Sequence, residues 1–183
     1  MKNMARPLTR GEIDMARSIF GDALDYGKVK VYRRRYLWFG LQPKNCAMTP
    51  NGQLYFHASC CLDDFSRGNA GQQHWFMHEM VHVWQHQLRY PVKLRGALRI
   101  GLGYAYTLAP QRRLCDYNME AQGELLADYF ALTHLRAPGA MRQPQYAESG
   151  ALYRAVLADF FADRASRANL PRRFGCWRRG DLT

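Results

Sequence analysis

Paired cysteines are missing from this 183-residue sequence. Its five cysteines are odd in number, and none stands in a C-x-x-C pair. This composition excludes a small disulfide-stabilised scaffold and argues against a structural zinc site built on cysteine. With 48% apolar and 13% aromatic residues, a chain of this length can bury a core without such crosslinks. Any metal that it binds is therefore expected to be catalytic.

Long apolar runs are missing as well. Residues 1–14 contain no apolar stretch of signal-peptide length, and the longest apolar-looking run, residues 100–110, is too short to span a bilayer. We expect a protein that is synthesised in the cytoplasm without a signal peptide or a membrane span. If it leaves the cell, another route must export it. No internal repeat or low-complexity linker interrupts residues 1–163, which predicts one domain there.

Acidic residues are scarce, since 15 Asp and Glu stand against 26 Lys and Arg, a net charge of +11. This charge favours anionic partners, such as nucleic acid, anionic lipid or a cell-wall polymer, without choosing among them. Residues 164–183 contain six arginines and one aspartate. These residues predict a basic tail, and a tail that is only solvated is favoured over one that binds a partner. No known nucleic-acid reader motif is present, so nucleic acid is not an expected partner.

The chain does contain a helical stretch with a metal-binding pattern. Residues 72–90 hold no glycine or proline, and a proline follows directly, which predicts a helix that ends there. Residues 78–82 read H-E-M-V-H, so His78 and His82 lie one turn apart on one face and can bind the same metal ion. Glu79 can reach a metal-bound water without being a ligand, as a general base must.

A second face of this helix is apolar and predicts packing into a core. It is formed by Met77, Met80, Val81, Trp84 and Leu88. The alternative interpretation is an amphipathic helix whose histidines are only hydrogen-bonded. A third metal ligand elsewhere in the chain decides between the two interpretations.

The remaining patterns predict an α+β fold that is mainly helical. A capping box at Thr9 predicts a helix over about residues 10–20, and alternation over residues 28–32 predicts a strand. The Asn51-Gly52 pair predicts a hairpin. Together these elements predict a small, mostly antiparallel sheet before the metal-binding helix.

Two further helices are predicted at about residues 116–136 and 146–162 by their apolar periodicity. Residues 92–113 are harder to assign, because three glycines interrupt an apolar pattern. Tyr104 and Tyr106 in this segment can line a cleft or pack in the core, and core packing is favoured.

The first of these helices presents carboxylates at positions 120, 124 and 128. A zinc site of the two-His, one-Glu kind needs one carboxylate from a separate element and leaves a fourth position for water. Glu120 and Glu124 both qualify, and spacing does not separate them because residues four apart share a helix face. The carboxylate that does not bind metal is expected to support a ligand by hydrogen bonding.

Residues 124–128 read E-L-L-A-D and are similar to the E-x-x-A-D motif of several zinc peptidase families. In those families the glutamate binds metal and the aspartate orients a ligand histidine. This similarity implies that Glu124 is a ligand and that Asp128 orients a ligand histidine.

A closer resemblance covers residues 8–163. H-E-M-V-H-V-W-Q at 78–85, N-M-E-A-Q-G at 118–123 and D-Y at 128–129 resemble the metallopeptidase effector domains at the C-termini of type VI secretion spike (VgrG) and Rhs proteins. These paired motifs are more specific than H-E-x-x-H alone. In that family the glutamate of N-x-E-x-Q-G is the ligand, which implies Glu120, and we prefer it to Glu124.

The resemblance implies a zincin-like fold, a Zn²⁺ cofactor and a zinc-dependent metallopeptidase. It further implies an antibacterial toxin that acts in the periplasm of a target cell, on a protein or on peptidoglycan peptides. A secretion spike protein and a cognate immunity protein are the implied partners, and we expect a monomer. The competing class is a basic module that binds nucleic acid or an anionic polymer, with a structural or vestigial metal site.

His86 lies one turn beyond His82 and invites a three-histidine site. The metzincin spacing requires histidine at position 88, which is Leu88, so that subclass is rejected. We interpret His86 as a hydrogen-bonded neighbour of the ligands or a structural residue. The remaining histidines, His57, His74 and His134, are interpreted as carrying no spacing signal.

Overall fold

A computed structural model describes residues 5–36, 47–98 and 102–172. These residues form a mixed α/β fold, about half of it helical. The strands are β1 (Ala5–Pro7), β2 (Lys30–Tyr32) and β3 (Leu54–Tyr55). The helices are α1 (Arg10–Phe20), α2 (Ala70–Gln87), α3 (Val92–Leu98), α4 (Met119–Thr133), α5 (Gly150–Val156) and α6 (Ala158–Ala162). No helix in the described ranges is long and apolar enough to cross a membrane.

The three strands form one small sheet in the order β1-β2-β3. β1 is antiparallel to β2, as predicted, whereas β2 and β3 are parallel, with Val31 beside Leu54. A parallel pair needs a long crossover connection, and residues 33–53 between the two strands provide the length. The predicted small sheet is therefore present before α2, but only one of its two strand pairs is antiparallel.

The predicted hairpin at Asn51-Gly52 is confirmed as a short reversal of the chain. Met48 and Tyr55 exchange two backbone hydrogen bonds of 3.1 and 3.0 Å. Gly52 has a φ of +74°, a conformation that glycine adopts without steric cost. The reversal places Thr49 next to α2.

The capping box that begins α1 is confirmed. The Thr9 hydroxyl accepts from the Glu12 backbone N–H (3.1 Å), and the Glu12 carboxylate accepts from the Thr9 backbone N–H (2.9 Å). Glu12 is fully buried and also accepts from Arg6 (2.7 and 2.8 Å) and from the backbone of Phe65 (2.9 Å). This one carboxylate therefore connects β1, α1 and the turn that precedes α2.

Helices α2 and α4 form the centre of the fold and pack against each other more extensively than any other two elements. The predicted apolar face of α2 is confirmed, since Met77, Met80, Val81 and Trp84 are fully buried and Leu88 is half-buried. Asn118 caps α4 by accepting from the backbone N–H groups of Glu120 and Ala121 (2.9 and 3.1 Å). The two helices thus fix the backbone positions from which the predicted ligands extend.

The segment after α2 contains α3 and then, from residue 102, an irregular stretch. Residues 99–101 lie outside the described residues. Tyr106 is buried, as favoured from the sequence, but Tyr104 is 42% exposed. The two tyrosines therefore occupy different environments, although the sequence favoured core packing for both.

The helix predicted over residues 146–162 is divided into α5 and α6 at Leu157. The chain that follows remains attached to the fold. Trp84 donates to the carbonyl of Arg164 (2.7 Å), Gln122 to that of Asn169 (2.9 Å), and the backbone N–H of Arg172 donates to Cys115 (2.9 Å). The first part of the predicted basic tail, residues 164–172, thus packs on α2 and α4, and residues 173–183 lie outside the described residues.

Candidate metal centre

Three side chains from α2 and α4 bring their ligand atoms together. Nε2 of His78 and Nε2 of His82 are 3.1 Å apart. Oε2 of Glu120 lies 3.3 Å from the first nitrogen and 3.2 Å from the second. The histidines stand one turn apart on α2, and the carboxylate comes from the first turn of α4. The structure therefore places the predicted residues His78, His82 and Glu120 around one point.

This donor set fits a zinc ion. Tetrahedral zinc with bonds of about 2.0–2.1 Å holds its ligand atoms roughly 3.3–3.4 Å apart, and the three observed distances of 3.1–3.3 Å are close to that value. Two imidazoles and one carboxylate are also the ligands of catalytic zinc sites that keep a fourth position for water. His78, His82 and Glu120 are thus the residues that would hold the ion.

Two of these groups, His82 and Glu120, attract each other as a buried pair of opposite charges. Burial opposes the charged form of His82, but the charge and hydrogen bond of Glu120 outweigh it and raise the pKa of His82 to about 9. Burial also acts to raise the pKa of Glu120, yet the two imidazoles hold that pKa well below its usual range. Because a metal binds neutral imidazole, cation binding must displace the proton of His82.

Two buried glutamines orient His82. Gln122 Nε2 donates to two backbone carbonyls (2.8 and 2.9 Å), which turns its side-chain oxygen toward Gln85. Gln85 Nε2 donates to that oxygen (2.9 Å) and to another carbonyl (3.1 Å). The oxygen of Gln85 therefore accepts from Nδ1 of His82 (2.8 Å), which leaves the lone pair of Nε2 for a metal. Sequence reasoning missed both residues, although they belong to the two quoted motifs.

A ladder of opposed side chains runs between α2 and α4. Three histidines spaced one turn apart on α2 face three carboxylates spaced one turn apart on α4. The facing pairs are His74 with Asp128, His78 with Glu124 and His82 with Glu120. Sequence reasoning missed His74, but its position four residues before His78 was a usable signal, because that spacing repeats the spacing of the two ligands.

Glu124, the alternative third ligand, lies on the other side of His78 from Glu120. Its Oε1 is 3.5 Å from Nδ1 of His78, and its Oε2 is 3.8 Å from Nε2 of His74. Burial raises the pKa of the Glu124 carboxyl. Neither contact is a hydrogen bond, since within the described residues Nδ1 of His78 and Oε2 of Glu124 have no hydrogen-bond partner. The structure therefore brings Glu120, rather than Glu124, to the Nε2 atoms of both histidines.

Asp128 is fully buried and accepts four hydrogen bonds. They come from His74 (2.7 Å), the Tyr106 hydroxyl (2.5 Å) and the backbone N–H groups of Arg142 and Gln143 (2.6 and 3.0 Å). Its imidazole partner is His74 rather than either predicted ligand. Asp128 thus connects the ladder to the segment that follows α4.

Glu79, the predicted general base, is buried on α2 between the two histidines in sequence. Its Oε2 accepts a hydrogen bond of 2.6 Å from the hydroxyl of Thr49, which sequence reasoning also missed. His86 is exposed, and its side chain makes no hydrogen bond within the described residues. A Cβ atom at Gly52 would lie 2.5 Å from Cδ2 of His86, so this ring packs against the reversal that carries Thr49.

Two further residues shape the surroundings of His78. A Cβ atom at Gly123 would lie 2.6 Å from Cε1 of His78, so only glycine at this position lets the imidazole approach α4. The ring of Tyr104 lies 6.0 Å from the His78 ring, between centroids, and is partly exposed. Tyr104 therefore stands at the solvent side of the candidate centre.

No protein-family model matches the chain. A comparison with curated proteins finds 41% identity over 133 residues with the type VI secretion system spike protein VgrG2b of Pseudomonas aeruginosa strain PAO1, which covers 68% of this chain. The chain spans only 13% of the length of that protein. Among solved structures, the effector domain of P. aeruginosa VgrG2b superposes with a TM-score of 0.68 and 36% sequence identity, over 84% of this chain and 82% of that domain.

Proposed function

This chain belongs to the family of the VgrG2b effector domain, and we propose that it is a type VI secretion effector that hydrolyses peptide bonds with zinc. The convergence of His78, His82 and Glu120 within 3.3 Å, beside the buried carboxylate of Glu79, is the observation that carries the proposal. The zincin-like fold expected from the sequence is part of the same proposal.

Glu79 acts as the general base. Bound zinc would polarise the scissile carbonyl and lower the pKa of a water ligand toward neutrality. The Glu79 carboxylate takes a proton from the attacking water while the water oxygen bonds to the carbonyl carbon. It then delivers that proton to the amine as the carbon–nitrogen bond breaks. Gln85 holds the His82 imidazole in position during these steps, and Glu124 lies beside the imidazole of His78.

The proposed substrate is a peptide, either a protein or the peptide of peptidoglycan, in the periplasm of a target cell. A net charge of +11 favours approach to an anionic wall. Because the chain is related to a domain of a secretion spike protein, we propose such a spike protein as a partner. A second proposed partner is a cognate immunity protein that protects the producing cell.

Glu79→Gln tests this function. The amide has nearly the same shape but cannot accept the proton, so the variant should bind zinc and keep its thermal stability while losing hydrolysis. The measurement is peptide-bond cleavage in isolated protein and peptidoglycan substrates, with growth of cells that direct the chain to their periplasm as a second readout. Full activity in the variant would exclude Glu79 as the base.

One surface feature favours a second candidate function, the binding of an anionic polymer. A cleft of about 630 Å³ lies between the C-terminal end of α2 and residues 167–172, and Arg89, Arg167 and Arg172 line it. Arg89 and Arg167 pair with no acidic side chain within the described residues. A cleft with this charge attracts polyanions, with an affinity that falls as salt increases.

A pair of double variants tests this second function. Replacement of Arg89 and Arg167 by Ala should weaken binding to double-stranded DNA or heparin and reduce its salt dependence. The control variant replaces Arg136 and Arg154 by Ala, and both of these residues are also exposed. It removes the same charge as the test variant, and each variant changes one residue with a positive φ, Arg89 or Arg136. Equal loss in both variants would indicate general charge attraction rather than a binding site.

A further inference from the structure

We propose that the turn at residues 49–52 positions the general base, and that the Thr49 hydroxyl holds the Glu79 carboxylate in the orientation that catalysis requires. The inference deepens the peptidase function proposed above and rests on it. Thr49 is thus a positioning residue, which acts on the reaction through Glu79.

The first observation is the hydrogen bond itself. Thr49 Oγ1 donates to Glu79 Oε2 over 2.6 Å, and the two residues are 4% and 5% exposed. A short hydroxyl–carboxylate bond is roughly twice as strong as one between neutral groups, and exclusion of water keeps it so. Within the described residues, Oε1 of Glu79 accepts no hydrogen bond. One carboxylate oxygen is therefore fixed, and the other remains able to accept a proton.

The second observation is that the turn is attached to α2 at two points. Glu79 holds Thr49, and the His86 ring packs on Gly52. Glu79 and His86 are seven residues apart, which places them on nearly the same face of the helix, about 10.5 Å along its axis. The turn from Thr49 to Gly52 therefore contacts this face of α2 through the residues at both of its ends.

The third observation explains why the turn keeps its shape. The backbone hydrogen bonds between Met48 and Tyr55 close it, and the positive φ of Gly52 reverses the chain. A residue with a Cβ atom at position 52 would collide with His86. Glycine at position 52 and histidine at position 86 thus set the distance between the turn and α2, and with it the position of the Thr49 hydroxyl.

Thr49→Val and Thr49→Ser test the proposal. Valine has the shape of threonine without its hydroxyl, so kcat should fall roughly 10–100-fold because the base is no longer held in place. KM and zinc affinity, the latter measured by chelator competition, should change little. Serine restores the hydroxyl and should recover most of kcat. A wild-type kcat in Thr49→Val, or an equal loss in both variants, would overturn the proposal.

Gly52→Ala tests whether the turn acts through the same hydrogen bond. The new Cβ atom displaces the turn from His86, so kcat should fall as in Thr49→Val. The double variant should be no worse than Thr49→Val alone, because both changes remove one interaction. Gly21→Ala is the matched control, since Gly21 also has a positive φ (56°) but the nearest atom to its added Cβ lies at an ordinary 3.6 Å. Additive losses in the double variant would contradict a shared effect on Glu79.

An infrared readout separates this proposal from the peptidase function. The difference spectrum between the wild-type chain and Glu79→Gln isolates the carboxylate stretch of Glu79, which is sensitive to hydrogen bonding. Thr49→Val should shift that band, and Thr49→Ser should restore it, whether or not any peptide is cleaved. If the wild-type chain fails to bind zinc or to hydrolyse peptides, the proposed function fails. An unshifted band in Thr49→Val overturns the role of Thr49.

Discussion

Glu120 and Glu124 differ in which nitrogen of His78 they face. Glu120 approaches Nε2 at 3.3 Å, whereas Glu124 approaches Nδ1 at 3.5 Å. The sequence could not separate them, because they share one helix face and the choice depends on how α4 is placed against α2. Only the resemblance of N-M-E-A-Q-G to a known motif favoured Glu120.

Alanine variants of the two acids should therefore differ in zinc affinity. Glu120→Ala removes a direct metal bond, and Glu124→Ala removes support of a ligand, which typically costs about 10–100-fold. A competitive titration against a chelator at neutral pH measures both, with Asp128→Asn as a milder comparison. If Glu124→Ala is the more severe change, Glu124 is the ligand and the assignment of Glu120 is wrong.

The pairing of His82 with Glu120 also predicts how stability depends on pH without metal. The pKa of His82 rises from an ordinary value of 6.5 to about 9 on folding. A raised pKa gives stability that is complete below about pH 6.5 and is lost as pH rises through 9, at most about 3 kcal/mol. The lowered pKa of Glu120 gives stability that is lost as the solution becomes acidic.

Urea unfolding in the presence of a chelator measures this dependence. The free energy of unfolding should decrease between pH 6.5 and pH 9, and Glu120→Gln should remove most of the decrease because it lacks the charge. A free energy that stays constant over this range in the wild-type chain would contradict the pairing.

Other contributors to the site were invisible in the sequence for a physical reason. Thr49 meets Glu79, and Gln122 meets Gln85, only because separate elements pack together. No local spacing relates residues 30 or more positions apart. The motif residues His78, Glu79 and His82 were accessible because one helix carries all three.

At the level of secondary structure, prediction succeeded where a local signal specifies the element. The capping box gave α1 its observed bounds, and Asn51-Gly52 gave the reversal before β3. The parallel pairing of β2 with β3 depends on the path of the connection between them. Residues 92–113 could not be assigned because their glycines contradict their apolar pattern.

Contact between α2 and α4 depends on the absence of a side chain at Gly123. An alanine Cβ there would lie 2.6 Å from the His78 ring, so Gly123→Ala must separate the helices or turn the imidazole. We expect a loss of roughly 1–3 kcal/mol of stability and weaker zinc binding. Thermal unfolding and chelator competition measure the two effects, with Gly139→Ala as a control whose Cβ meets no atom within 4 Å. Equal behaviour of the two variants would contradict the close approach.

Taken together, the described chain forms a fold whose central helix pair carries both the core and the donor set. The apolar side of α2 packs into the core, and its histidines face the carboxylates of α4. Because the site and the core share the same two helices, zinc binding should stabilise the whole fold rather than one loop.

Equilibrium zinc titration of the purified chain, followed by its thermal unfolding, tests this account most directly. About one zinc should bind per chain and raise the unfolding temperature, and His78→Ala or His82→Ala should abolish both effects. Metal content near zero after gentle purification, with no binding during titration, would contradict the account.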